Sequence, residues 1–354
     1  MSQAVLFVSR HFPVFACLAY GVSAAERVAE AVLSDGPLYE LRANNLTQYF
    51  VNYPDHGFAK RALIGTVLRP VTHGADAPEQ VIFWLMVLVN LLGFAGLVFL
   101  LNRLLPHAED ARLSVFLRAG FAIGSVGVVQ IAHDYGRFDL MNYFVLGAAL
   151  WLVLWRKLAL AALVCAAGVL IHEAFAIYGV PLVVATAWCA APPGRRVADA
   201  GLVAVVSAAA AAAVLLYGGS QSAAALDIGT GAYVWQRGLI EVGWDMPWGQ
   251  LAVLSAYWLV LVAVLIWFYR ANAKRPDLLF VAALSPFALN LFGIDHGRWV
   301  TIGFLVVVIT LVLQVRLFGC QWPRLTPGQQ RAAGLLVLPL GPHGLTGAWT
   351  WLMG

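Results

Sequence analysis

Residues 158–191 read LALAALVCAAGVLIHEAFAIYGVPLVVATAWCAA, with no Lys or Arg and with one acid, in the pair His172-Glu173. As one α-helix this stretch would be roughly 50 Å long at 1.5 Å per residue, whereas the hydrocarbon core of a bilayer is about 30 Å thick. Two helices are therefore expected, with a tight break at His172-Glu173. Such a pair is typical of a chain that crosses a membrane more than once.

Composition extends this interpretation to the whole chain. Of the 354 residues, 61% are hydrophobic and 11% are charged, and the mean hydropathy is +0.80. One water-soluble core could not bury so much apolar surface. The sequence predicts an all-α, polytopic transmembrane helix bundle of about ten spans, in a single domain over 1–354. The expected spans lie near 12–33, 80–102, 115–132, 139–155, 158–171, 174–191, 197–217, 249–269, 277–293 and 299–315. An apolar stretch at 333–353, interrupted by Pro and Gly, is left unassigned.

Charge placement orients the predicted spans, because cytoplasmic loops are enriched in Lys and Arg. With a cytoplasmic N-terminus, most basic residues fall on the inside, among them Arg118, 156–157 and 195–196, and most acids fall outside. Removing the break at His172 would invert this balance downstream. The net charge of +4 thus reflects membrane orientation, and no nucleic-acid partner is expected. The first span is expected to stay uncleaved, with a cleaved signal ending near 23–25 as the alternative.

One short pattern occurs twice, each time at the outer end of a predicted span: DYGRF at 134–138 and DHGRW at 295–299. Gly permits a tight turn, Asp can fix Arg, and the guanidinium offers a planar fork to an anion. Two interpretations stay open: each Asp-Arg pair ties its own turn together, or at least one Arg faces a ligand. The substrate- and phosphate-binding candidates of these segments are His133, Asp134, Arg137, Asp139, Asp295, His296 and Arg298.

His172 and Glu173 are the catalytic candidates at the predicted break. Ionisable groups at membrane depth normally line a cavity or pair with one another. The two residues could form a general base pair or a metal site with His133 or His296. They could also be a simple helix start, in which Glu173 complements the N-terminal dipole.

Two long outer loops, 34–79 and 218–248, are the places for structure outside the membrane. The first contains an amphipathic stretch at 58–69, which predicts a helix along the outer interface. Its amides, phenols and charges suit a sugar or phosphate site, and an ordinary solvated loop is the alternative. The loops supply the catalytic candidates Asp35, Glu40 and Asp55 and the phosphate-binding candidates Lys60, Arg61 and Arg237.

The arrangement resembles the GT-C class of membrane glycosyltransferases and the related bacterial polysaccharide polymerases. The resemblance lies in Asp35 and Glu40 behind the first span, in NYPDHGFAKR at 52–61, and in the two Asp-ring-Gly-Arg-ring turns. It implies a sugar donor on a polyprenyl phosphate or diphosphate, an outer-loop carboxylate as base, and Arg61, Arg137 and Arg298 as phosphate ligands. The acidic pair usual in that class is spread here over Asp35 and Glu40.

The sequence therefore predicts a glycosyltransferase or polysaccharide polymerase of the bacterial cytoplasmic (inner) membrane, with a transporter or lipid flippase as the alternative. Its expected partners are a lipid-linked sugar donor, a glycan or lipid acceptor, and membrane lipids. No cofactor is expected, and no residue pattern indicates a divalent metal or an ATP-binding phosphate loop. The predicted chemistry requires Arg137, Arg298 and Glu173 to share one aqueous chamber.

Overall fold

The computed structural model describes residues 3–33, 49–56, 58, 61–73, 75–76, 78–108, 110, 112–217, 248–291, 296–340 and 345. Within these ranges the secondary structure is helical, apart from an isolated β-bridge between Arg112 and Arg324. The first helices are α1 Gln3–Arg10, α2 Phe12–Leu33, α3 Tyr53–His56, α4 Ala62–Thr72, α5 Pro78–Leu104, α6 Leu113–Ile123, α7 Val128–His133 and α8 Asp139–Leu154. The later helices are α9 Leu158–Ile171, α10 Phe175–Ala190, α11 Arg196–Tyr217, α12 Trp248–Ala271, α13 Leu278–Leu284, α14 His296–Phe318 and α15 Pro327–Ala333.

Several of these helices are suited to a bilayer. Among the described residues, five stretches are long and apolar enough to cross a membrane: Gln80–Leu104, Leu113–His133, Pro193–Tyr217, Leu251–Ala271 and His296–Phe318. The number is six if α1 and α2, which are bent by 89°, count as one span. Helices α8, α9 and α10 are apolar but have only 16, 14 and 16 residues. The prediction of a helical membrane protein is confirmed, whereas ten crossings stay a prediction.

The expected break between residues 158 and 191 is confirmed. Helix α9 ends at Ile171, and α10 begins at Phe175. His172 leaves the helix in an extended conformation, with φ −154 and ψ 120. The Phe175 ring then occupies the space beside Gly168, where a Cβ would lie 2.7 Å from Phe175 Cδ1.

The segment predicted as one helix at 115–132 is divided into α6 and α7. The chain bends between Gly124 and Gly127 because the C-terminal region packs against this point. A Cβ on Gly124 would lie 1.9 Å from the Leu336 carbonyl oxygen, so only glycine fits there. Ser125 N–H donates to Leu338 O at 3.2 Å, and Ser125 Oγ accepts from Leu340 N–H at 2.6 Å.

Two other predicted segments also differ in detail. The span expected at 277–293 consists of α13 followed by a 3₁₀-helix over Ser285–Leu291. In the stretch left unassigned at 333–353, a 3₁₀-helix covers Gly334–Val337 and packs against α6.

The chain divides into two compact units. Unit 1 consists of Met1–Glu26, Ala95–Tyr135 and Val242–Gly354, and unit 2 consists of Arg27–Phe94 and Gly136–Glu241. In unit 1, α14 packs against α7, α12 and α13. In unit 2, α9 packs against α4, α8, α10 and α11.

Candidate functional site

The segments Tyr49–His56 and Arg61–Thr72, in unit 2, belong to the predicted first outer loop and are called the loop module below. Its two helices are joined by polar contacts: Tyr53 N–H donates to Thr66 Oγ1 at 2.8 Å. Arg69 Nε and Nη2 donate to the two carboxylate oxygens of Asp55 at 3.0 and 2.8 Å. The sequence predicts a helix at 58–69. The structure confirms a helix in this stretch, but it begins at Ala62 and continues to Thr72.

Gly65 permits the closest contact inside the loop module. A Cβ at this position would lie 2.0 Å from Val51 O and 2.8 Å from Tyr49 O, so α4 rests directly on the backbone of residues 49–51. The opposite side of α4 exposes Val67 and Val71 by 64% and 57%. One buried and one apolar outward face are typical of a helix at a membrane interface.

Tyr49 and Arg61 make polar and aromatic contacts that attach the loop module to the remainder of unit 2. Tyr49 Oη donates to Gly136 O at 3.0 Å, and the Tyr49 ring meets the Phe138 ring edge-on with centroids 4.8 Å apart. Arg61 Nε and Nη2 donate to Glu173 Oε2 and Oε1 at 3.1 and 2.7 Å. The loop module, the DYGRF turn and the His172-Glu173 break are thus connected by direct contacts.

The backbone of Arg61, whose guanidinium group forms the ion pair, has an unusual conformation. It precedes α4 in a left-handed conformation, with φ 62 and ψ 11, which is uncommon for a residue other than glycine. The side chains of Arg61 and Glu173 are 30% and 35% exposed, so an incoming ligand can reach both.

The ion pair determines the charge state of Glu173. Burial opposes ionisation, but the Arg61 charge, the electrostatic effect of His172 and the hydrogen bonds from Arg61 together outweigh that cost, so the pKa of Glu173 lies well below its usual range. The carboxylate is therefore ionised at neutral pH while the pair is closed. A carboxylate with so low a pKa is a weak base. Proton abstraction by Glu173 consequently requires Arg61 to move away.

His172 is buried beside this pair. Ala174 N–H donates to His172 Nδ1 at 3.1 Å, so Nδ1 acts as an acceptor. A neutral imidazole in this arrangement carries its proton on Nε2. Nε2 of such a ring is a hydrogen-bond donor.

Measured along the axes of the paired helices α8 and α9 in unit 2, the start of α8 is next to the end of α9, where His172 follows. A Cβ on Gly168 would lie 2.9 Å from Val145 Cγ1, which fixes the contact between the consecutive antiparallel helices α8 and α9. Asn142 precedes Val145 by about 4.5 Å of helix, and His172 follows Gly168 by about 6 Å, both towards the same end. Asp139, one turn before Asn142, is also buried. Arg137, in the preceding turn, is partly exposed.

Unit 1 holds a second polar cluster, at the end of α7 and the start of α14, which pack together. Gln130 Nε2 donates to Asp134 Oδ2 at 2.7 Å. His296 Nδ1 lies 3.1 Å from Asn290 Oδ1, and the Arg298 guanidinium lies 4.3 Å from the Trp299 ring centroid. His133, His296 and Arg298 are all buried.

Of the other candidates, Asp55 is held in an ion pair, and five lie outside the described residues. Asp55 is paired with Arg69 inside the loop module, whereas Glu173 is paired with Arg61 across unit 2. Asp35, Glu40, Lys60, Arg237 and Asp295 lie outside the described residues. Among the described residues, no group of three or more His, Cys, Asp or Glu side chains could hold a metal ion.

Sequence reasoning missed Tyr49 as an attachment point and Asn142 as a buried amide of the site. Tyr49 gave no distinguishing signal, because its partner is a backbone carbonyl. Asn142 did give one, since an amide inside an apolar span is a polar group at membrane depth. Comparison with known protein families, with characterised proteins and with solved structures finds no match to this chain.

Proposed function

We propose that this chain is a membrane glycosyltransferase or polysaccharide polymerase that uses a polyprenyl-(di)phosphate-linked sugar at the extracytoplasmic face. The contact between Arg61 and Glu173 is the observation that carries the proposal. A guanidinium fork is suited to phosphate oxygens, and a carboxylate is suited to the proton of an acceptor hydroxyl. Both groups are partly exposed, and the buried His172 directly precedes Glu173 in the chain.

In the proposed reaction the acceptor hydroxyl oxygen attacks the anomeric carbon of the donor sugar. A new C–O bond forms there while the bond from that carbon to the phosphate oxygen breaks. Glu173 takes the hydroxyl proton, and the polyprenyl (di)phosphate leaves with the electron pair. Preorganised cations stabilise the negative charge that develops on this leaving group.

The closed ion pair is the resting state in this proposal. A donor phosphate competes with Glu173 for the fork of Arg61, because a carboxylate and a phosphate each offer two anionic oxygens that accept its two parallel N–H bonds. Withdrawal of Arg61 removes the main cause of the depressed pKa of Glu173. Donor binding therefore produces a stronger base only when the leaving group is in place.

The proposed topology has ten crossings, a cytoplasmic N-terminus and a location in the bacterial cytoplasmic membrane. Contacts at the predicted inner ends support it. In unit 1, Arg324 and Arg112 both donate to Asp110. In unit 2, Arg156 and Arg195 both pair with the buried Asp199. The short helices α8, α9 and α10 would then cross a thinned bilayer or lie inside the bundle.

Two further arginines that the sequence predicts as phosphate ligands give a direct test. Arg137→Ala and Arg298→Ala should each lower turnover of a polyprenyl-linked sugar by about 100-fold, because a cation that stabilises the leaving group is lost. The assay uses purified full-length protein in proteoliposomes with undecaprenyl-linked glycans extracted from the host, and thermal unfolding checks folding. Arg69→Ala is the matched control, since Arg69 pairs with Asp55 inside the loop module. Full turnover by both folded variants would refute the phosphate-site assignment.

A transporter or lipid flippase is the alternative function, and the broken helices favour it. The division of Leu113–His133 at residues 124–127 and the 3₁₀ segment after α13 resemble the discontinuous helices of transporters. Counterflow of a labelled lipid-linked sugar in proteoliposomes, without chemical change, would support this alternative.

A further inference from the structure

Asn142 is the observation from which a further inference starts. It lies on α8 in unit 2, and its side chain is 0% exposed. Neither Nδ2 nor Oδ1 has a hydrogen-bond partner in the structure as described. Buried amides are almost always hydrogen-bonded, because desolvation of an unpaired amide is unfavourable. Within the described part of the chain, this buried amide thus has no group that satisfies it.

Asn90 shows that unpaired amides are not general in the helices of unit 2. This residue is also buried in an apolar helix, α5, but its Nδ2 donates to Met86 O one turn earlier, at 2.8 Å. Asn142 does not use this local solution. The helix rise instead places it near the level of His172 along the axis of α8, one turn after Asp139.

We infer that Asn142 binds a hydroxyl group of the sugar substrate and positions that sugar at the His172-Glu173 end of unit 2. This inference rests on the proposed function. An amide offers two N–H donors and one carbonyl acceptor, whereas a hydroxyl both donates and accepts. Phosphate could use only the amide donors, and a cation could use only the carbonyl oxygen. A neutral sugar hydroxyl satisfies both ends of the side chain.

The first test is the stability of the ligand-free protein. Asn142→Leu removes a buried amide that has no partner, so the variant should melt at the same temperature as the wild type or higher. The measurement is thermal unfolding of the full-length protein in detergent. A lower melting temperature would show that the amide is already satisfied, for example by a trapped water, and would overturn the inference.

The second test is turnover of undecaprenyl-linked glycans by the same variants. Loss of one hydrogen bond to the sugar should lower kcat/KM about tenfold for Asn142→Leu. Asn90→Leu, the matched control, should retain turnover. Full turnover by Asn142→Leu with an active wild type would overturn the inference and leave the proposed function intact. Absence of turnover in the wild type would refute the proposed function itself, and the sugar assignment with it.

Ligand-induced changes in melting temperature distinguish a contact with the sugar from a contact with the phosphate. Undecaprenyl phosphate alone should raise the melting temperature of wild type and Asn142→Leu equally. An undecaprenyl-phosphate hexose should stabilise the wild type further, and this increment should be absent in Asn142→Leu. If the hexose raised the melting temperature of both proteins by the same further amount, a hydroxyl contact at Asn142 would be contradicted.

Discussion

Exchange of the two charges in the Arg61–Glu173 pair should restore stability and leave the protein inactive. Glu173→Arg alone places two cations together and should destabilise unit 2. Adding Arg61→Glu rebuilds an ion pair, which for partly exposed groups is worth about 1 kcal/mol. The carboxylate then stands on the loop module instead of beside His172. Turnover should remain about 100- to 10,000-fold below wild type, the usual contribution of a general base.

The Asp55–Arg69 pair provides the matched control. It has the same two-bond geometry, with distances of 3.0 and 2.8 Å, and lies within the same loop module. The exchange Asp55→Arg with Arg69→Asp should recover both stability and turnover, because this pair only joins the two helices of the module. Turnover assays and thermal unfolding of both exchanges decide between the two carboxylates. Activity restored by the 61/173 exchange and lost in the 55/69 exchange would identify Asp55 as the base.

Arg118→Met should give the largest loss of stability in unit 1. Arg118 is 3% exposed and lies inside α6. Its guanidinium donates to Ser9 O at 3.0 Å, to Leu105 O at 2.6 Å and to Asn102 Oδ1 at 2.8 Å. The last carbonyls of a helix have no partner in their own helix. Arg118 therefore caps the C-terminal ends of α1 and α5 at once.

Removing this guanidinium leaves several buried acceptors unpaired, at about 1–3 kcal/mol for each one that water cannot reach. We expect Arg118→Met to lower the free energy of unfolding by about 3 kcal/mol or more. The free energy of unfolding of Arg118→Lys should lie between those of the wild type and Arg118→Met, since an ammonium group cannot reach every acceptor. Arg103→Met is the control: Arg103 is exposed, lies 5.1 Å from the Phe99 ring centroid, and should contribute about 0.5 kcal/mol. Equal stability of the two methionine variants would contradict the capping role.

The positions of helices were predictable where the length of an apolar segment alone determines them. Residues 158–191 are too long for one crossing, so a break at the only acid in the stretch followed from the dimensions of a bilayer. Helices α11, α12 and α14 follow from long uninterrupted apolar runs. The division of 115–132 was not predictable, because it depends on the Leu336 carbonyl, more than 200 positions away in the chain.

The site was predictable as a set of residues and not as a set of contacts. Arg61 and Glu173 were both candidates, but no local pattern pairs residues that are separated by 112 positions. The charge pattern predicts Arg118 on the cytoplasmic side, but it does not predict that the guanidinium is buried against two helix ends. Each of these contacts depends on packing between distant helices, which a one-dimensional charge pattern does not contain.

Mass spectrometry of lipid-linked glycans tests the central claim most directly. The cells to compare lack this chain or carry it as wild type or as Glu173→Gln. A polyprenyl-linked sugar should accumulate in the deletion strain and in the Glu173→Gln strain, and wild-type cells should consume it. Identical lipid-linked glycan profiles in all three strains would contradict a role in sugar transfer.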